Sequence, residues 1–177
     1  MSGWLLAQGD ARRLPLADRC VQCVATSPPY FGLRDYGVAG QIGLEPTPEA
    51  FVAAMVAVFR EIRRVLRDDG VLWLNLGDSY NAHPGQRKAT DLAGEKQRSN
   101  RGSPGVPSRN VEALKPKDLI GIPWRVALAL QADGWYLRSD IIWSKPNGMP
   151  ESARDRPTRT HEHVFLLAKS ENYFYDL

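Results

Sequence analysis

Two hydrophobic periods alternate along this chain. The apolar run Val21 to Ala25 sits between charged residues and a pair of prolines, and predicts a buried strand. Phe51, Met55, Val58, Ile62, Val65 and Leu66 recur at helical spacing, with Arg60, Arg63, Arg64 and Arg67 on the other side and toward the end. Thr47 is the expected N-cap of this helix. Pro48 stands at its first position, and Glu45 and Glu49 place negative charge near its start. Asp69-Gly70 is expected to end it, and Val71 to Leu76 reads as a second buried strand. Strand, helix and strand joined by a long connection predict a parallel βαβ unit.

The same alternation continues downstream. Leu119, Ile122, Trp124, Val126, Ala127 and Leu130 predict a helix over Asp118 to Asp133, with Pro123 tolerated in its first turns and Gly134 ending it. Trp135 to Trp143 is expected to be a third core strand and Glu162 to Ala168 a further one. Residues 4 to 8 read as a short strand ending at Gly9-Asp10, and Tyr173 to Asp176 as a final edge segment. Glycine-rich Phe31 to Glu45 predicts an irregular loop. The class implied is α/β.

Residues 81–117 break the pattern. They lack apolar periodicity and carry eight basic against three acidic residues, which exceeds the net charge of +3 of the whole chain. Such a segment has too little apolar surface for a core and is expected to be a mobile basic insert. With 177 residues, one domain is the expectation. No apolar run approaches the length of a membrane span and no signal peptide is recognisable, so no membrane partner and a cytoplasmic location are expected. Cys20 and Cys23 have CxxC spacing, yet no second pair exists to complete a zinc site, and no metal is expected.

Candidate chemistry concentrates at Thr26-Ser27-Pro28-Pro29-Tyr30. Consecutive prolines cannot extend a strand ladder, because neither has an N–H to donate, and they hold the chain stiff and extended. Ser27 and Tyr30 are thereby presented at the carboxyl end of a strand, where open α/β sheets place their ligand crevice. A rigid loop with a hydroxyl, free carbonyls and an aromatic ring suits a flat polar object such as a nucleobase. Asp10 and Asp78 each read either as strand-end pocket acids or as ordinary turn acids. His161 and His163 share one side of a strand start without an apparent third ligand. Arg154, Arg156 and Arg159 read as phosphate contacts or as a solvated loop, and Arg87 and Lys88 in the insert as contacts to nucleic-acid backbone or as a solubilising charge run.

Thr26 to Tyr30 resembles the catalytic motif of the DNA amino-methyltransferases. Gly9-Asp10, the run Trp73 to Tyr80, Trp143 to Asn147 and Arg156 to His163 resemble the same family in the order of its circularly permuted class. That resemblance implies a partial Rossmann-like methyltransferase sheet, mostly parallel with an antiparallel edge strand, in a three-layer α/β/α arrangement. It implies S-adenosyl-L-methionine as cofactor, with Asp10, Thr26 and Ser27 contributing to its site. Double-stranded DNA is the implied partner, in the setting of restriction-modification. The family's Phe-x-Gly-x-Gly cofactor loop and its target-recognition region are absent from residues 1–177. The chain is therefore expected to be a catalytic portion that a C-terminal half or second subunit would complete.

In this family the acceptor is an exocyclic amine whose lone pair is delocalised into the base. Ser27 and the Pro28 carbonyl are the expected acceptors for its N–H bonds, drawing the lone pair out of conjugation, while Pro28 itself contributes shape, Pro28 and Pro29 together keep the loop stiff, and Tyr30 stacks on a base rotated out of the duplex. Serine at position 27, where many adenine-specific relatives carry aspartate, favours cytosine N4 over adenine N6. RNA or protein-glutamine methylation and a non-catalytic nucleic-acid-binding remnant are the competing readings.

Overall fold

The computed structural model describes residues 3–81, 111, 114–148 and 153–176. Its first unit is β1 (Val21–Thr26), α1 (Pro48–Val65) and β2 (Leu66–Leu76), with β1 and β2 parallel as the alternation of periods predicts. Thr47 caps α1, its hydroxyl accepting from the Ala50 N–H at 3.1 Å. Phe51, Met55, Phe59, Ile62 and Val65 form the buried stripe of α1.

The end of α1 differs from expectation. The helix stops at Val65, and Leu66 already begins β2, so Asp69-Gly70 lies within the strand. Leu66 is fully buried and pairs with Val21, and that tertiary pairing overrides the local stop signal. Gly70 is needed where it stands, since a Cβ there would lie 3.0 Å from the Arg67 carbonyl oxygen and 3.2 Å from that of Gln22.

The second unit is α2 (Ile122–Ala132), β3 (Tyr136–Ser144) and β4 (His161–Ala168). The strand order is β1-β2-β4-β3. Only β1 and β2 are parallel, whereas β4 runs antiparallel to both β2 and β3. The expected mostly parallel sheet is thus a mixed one. Because β4 lies between β2 and β3, two of the three pairings are antiparallel.

Both helices pack on the same sheet face. One core joins α1 and α2 residues to Leu72, Leu74, Leu76, Phe165 and Leu167. The opposite face carries Val71, Leu166 and Ala168 with Trp73 and Tyr173 against them. Among the described residues the arrangement is therefore two layers, not the three expected. No described helix is long and apolar enough to cross a membrane.

Other corrections concern the margins. Trp4, Leu5 and Leu6 are about nine-tenths exposed and form no strand, since no described strand lies beside them. β3 is an edge strand rather than a core one, with Ile142 and Trp143 exposed. Helix α2 starts at Ile122, later than Asp118, and Trp124 is partly exposed on it. Tyr173 to Asp176 forms no strand, although the Phe174 N–H donates to the Asp69 carbonyl at 2.9 Å. Most of the basic insert, 82–110 with 112–113, lies outside the described residues. Buried Asn81 ties its flanks together, donating to the Leu114 carbonyl at 2.8 Å and accepting from the Val111 N–H at 2.8 Å.

Candidate active site

The carboxyl end of β1 delivers Ser27, Pro28, Pro29 and Tyr30 to one wall of a cleft of about 340 Å³, completed by Leu33, Arg34 and Tyr36. That volume lies near the lower end of the range for small-molecule sites. Behind the prolines the loop folds back on itself. The Gly32 N–H donates to the Gly43 carbonyl at 2.7 Å, and Gly43 has φ +108°, where a Cβ would stand 3.2 Å from the Tyr30 carbonyl oxygen and 3.3 Å from Pro29 Cβ. Phe31 turns inward, 5.5 Å between centroids from Phe51 of α1. The stiff loop is thus fastened to the core by the residue directly after it.

Tyr30 is the hub of the site. Its ring lies against Gly77, where a Cβ would stand 2.5 Å from ring Cε2. Its hydroxyl lies 2.9 Å from Asn75 Oδ1 and 3.1 Å from Glu162 Oε2, and the Ser27 hydroxyl donates to it at 3.3 Å. Asn75 Nδ2 donates to Glu162 Oε2 and to the His163 carbonyl, both at 3.2 Å, and Lys145 Nζ binds the other Glu162 oxygen. Burial pushes the Tyr30 phenol above its ordinary value; Ser27 opposes that and the Glu162 carboxylate adds to it. Burial also works to raise Glu162, but hydrogen bonds from Lys145 and Asn75 outweigh it and hold the carboxyl below its usual range.

Motif reading did not anticipate Asn75, Glu162 and Lys145 as partners of Tyr30. The available signals were Asn75 as the one polar residue in an otherwise apolar strand run and Glu162 between two histidines at a strand start.

The other expected site residues are dispersed. Asp10 is exposed and held by Arg12, which donates from its backbone N–H at 2.9 Å and from its guanidinium. Thr26 ends β1, half-buried, beside Leu74 of β2. Asp78 resolves toward a structural role. Its carboxylate accepts from the Gly121 and Ile122 N–H groups at 3.0 Å, capping α2 where Gly121 offers no side chain. Arg159, 16% exposed, lies 3.6 Å from that carboxylate and faces inward. Arg156 stacks over the Tyr80 ring at 3.8 Å, and Arg154 is exposed. Arg87 and Lys88 lie outside the described residues. His163 is buried, pairs through Nδ1 with Asp140 at 2.9 Å and stacks on Phe165, which accounts for it as packing. Cys20 and Cys23 are free thiols, and no group of metal ligands occurs among the described residues.

Comparisons with known proteins bear on the family and the fold. A family model described as DNA methylase, for N6 and N4 methyltransferases, matches residues 21–177. The chain is 54% identical to the Type II methyltransferase M.Cfr9I of Citrobacter freundii over 99% of its own length and 58% of that protein's. It is 55% identical to M.XycI of Xanthomonas campestris pv. cyanopsidis with the same coverage, so it spans under two thirds of these relatives. Among solved structures, TTHA0409 of Thermus thermophilus, crystallised with S-adenosyl-L-methionine, superimposes with a TM-score of 0.58 at 21% identity over 96% of this chain and 54% of that one. The cytosine-N4-specific PvuII DNA methyltransferase gives 0.57 at 16% identity over 93% and 48%. These two likenesses establish the shared fold. On the family match across most of its length and the identity to Type II methyltransferases, the chain belongs to the N6/N4 DNA methylase family.

Proposed function

We propose that this chain is the catalytic portion of a DNA methyltransferase that uses S-adenosyl-L-methionine and acts on the exocyclic amine of a flipped-out base, with cytosine N4 favoured over adenine N6. The observation that carries the reading is the Ser27-Pro28-Pro29-Tyr30 wall of the cleft at the end of β1. Ser27 is exposed there, and the Pro28 carbonyl is a backbone acceptor on the same stiff loop. Both serve as acceptors for the two N–H bonds of the amine, favouring a tetrahedral nitrogen as positive charge develops. Tyr30 offers a ring for stacking, and Arg34 a cation at the rim.

S-adenosyl-L-methionine supplies an electrophilic methyl group when bound. Asp10, whose exposed carboxylate beside Arg12 would accept from an adenine amine, and Thr26 and Ser27, at the end of edge strand β1, are the proposed contributors to its site. Orientation of the amine by fixed acceptors then supplies much of the rate without a covalent intermediate. Arg154 and Arg156, with Arg87 and Lys88, are the proposed contacts to DNA phosphates. The segment around 81–117 serves as a basic insert, and the polypeptide by which the relatives exceed this chain completes the cofactor site.

The test is transfer of labelled methyl from S-adenosyl-L-methionine to duplex DNA, by the chain alone and with a polypeptide matching the rest of the relatives. Mass spectrometry of the nucleosides should find 4-methylcytosine; 6-methyladenine would favour the adenine reading. Folded protein with neither product, and no heat of S-adenosyl-L-methionine binding in either mixture, would sink the proposal in favour of a nucleic-acid-binding remnant.

A further inference from the structure

We propose that Asn75, Glu162 and Lys145 act through Tyr30 as a positioning set that directs the Ser27 hydroxyl proton onto the Tyr30 oxygen, leaving the Ser27 lone pairs to accept from a substrate amine. The inference deepens the reading of Ser27 as an amine acceptor and rests on it. A serine hydroxyl has one proton and two lone pairs, and it rotates to suit its surroundings. An amine acceptor works only if that proton is committed elsewhere.

The direction of each hydrogen bond follows from the chemistry of the partners. Asn75 Nδ2 faces the His163 carbonyl and Glu162 Oε2, which can only accept. This fixes the amide, so Asn75 Oδ1 is the atom that faces Tyr30. Glu162 Oε2, the other neighbour of the phenol, is also an acceptor, because Lys145 on its second oxygen keeps the carboxylate ionised. Tyr30 therefore directs its only proton toward Asn75 and Glu162. Its remaining lone pairs face Ser27, which is left as the donor at 3.3 Å. That contact is long for an O–H···O bond, so it orients the hydroxyl without locking it.

The set is assembled from separate elements. Asn75 comes from β2, Glu162 from β4, and Lys145 directly follows β3, where β3–β4 pairing places Trp143 opposite Glu162. Gly77 leaves the space in which the Tyr30 ring sits beside them.

The experiment places 3-fluorotyrosine at position 30 and follows its ionisation by 19F NMR. The fluorinated phenol titrates at lower pH than tyrosine, and the single label separates this residue from the five other tyrosines. Glu162→Gln should lower the midpoint by about one pH unit, because it removes the negative charge that opposes ionisation. Ser27→Ala should raise the midpoint, because a donor to the phenolate is lost. If Tyr30 instead donated to Ser27, the same variant would lower it. An unchanged midpoint in either variant, or a fall in Ser27→Ala, overturns the proposal. Circular dichroism on the same samples confirms the fold, and a Glu162→Asp variant that restores the midpoint supplies a second reading. Neither cofactor binding nor methyl transfer enters these readouts, so failure of the proposed function would leave this result intact, and the converse holds.

Discussion

Ser27 and Tyr30 announce themselves in the sequence because prolines and an aromatic ring after an apolar run have few other uses. Their partners do not, for Asn75 is 45 residues from Tyr30 and Glu162 is 132 away. No local pattern encodes a contact over that distance. Gly77 shows the same limit: it reads as an ordinary turn glycine, yet its missing side chain seats the Tyr30 ring. Gly77→Ala is therefore expected to cost about 1–3 kcal/mol by overpacking and to change the near-UV circular dichroism of Tyr30. Urea unfolding measures the first, and an unchanged stability and spectrum would show that the ring is not seated there. Under the proposed function, Ser27→Ala should reduce methyl transfer at least about 100-fold, the usual scale for losing one aimed polar group. The melting temperature, by contrast, should stay close to that of the parent.

At the scale of elements, helix α1 was legible down to its cap, since Thr47, Pro48 and the apolar stripe all act locally. The start of α2 was not, because Gly121 has no capping side chain and the cap comes from Asp78, 43 residues earlier. Asp78→Ala should leave the Gly121 and Ile122 N–H groups without their shared acceptor and Arg159 without its ion-pair partner. The expected loss is about 2–4 kcal/mol, combining a cap with a broken buried ion pair, and chemical denaturation checks it. Glu61 of α1 makes a pH-dependent contribution. Its hydrogen bond from Arg64, with the Leu14 N–H, overcomes burial and holds the carboxyl at about 2, against a usual 4.5. Because the folded value is the lower one, the stabilisation is complete above about pH 4.5 and is lost as pH falls toward about 2. Thermal melts across that range should show Glu61→Gln with a shallower acid-side fall than the parent.

For the molecule as a whole, one core joins both helices to the sheet, so unfolding should be a single cooperative transition. Leu72 is fully buried on β2, between β1 and β4. Leu72→Ala should cost about 2–5 kcal/mol, and tryptophan fluorescence, to which buried Trp135 contributes, and far-UV circular dichroism should report coincident midpoints. Separate midpoints would mean that the β1-α1-β2 unit and the β3–β4 pair melt independently.

The order of elements, the βαβ unit and the rigid loop at the end of β1 were determined by the sequence itself, because period, proline and capping chemistry act over a few residues. Tertiary structure alone decided that β4 inserts between β2 and β3, that both helices cover one face, and that α1 gives way to β2 at Leu66. It also decided that Asp78 caps a helix and that Asn75, Glu162 and Lys145 gather around Tyr30. The physical reason is common to these outcomes. Strand order, layer and side-chain partnership are settled by which buried surfaces and hydrogen-bonding groups satisfy one another across the chain, and local residue pattern does not carry that information.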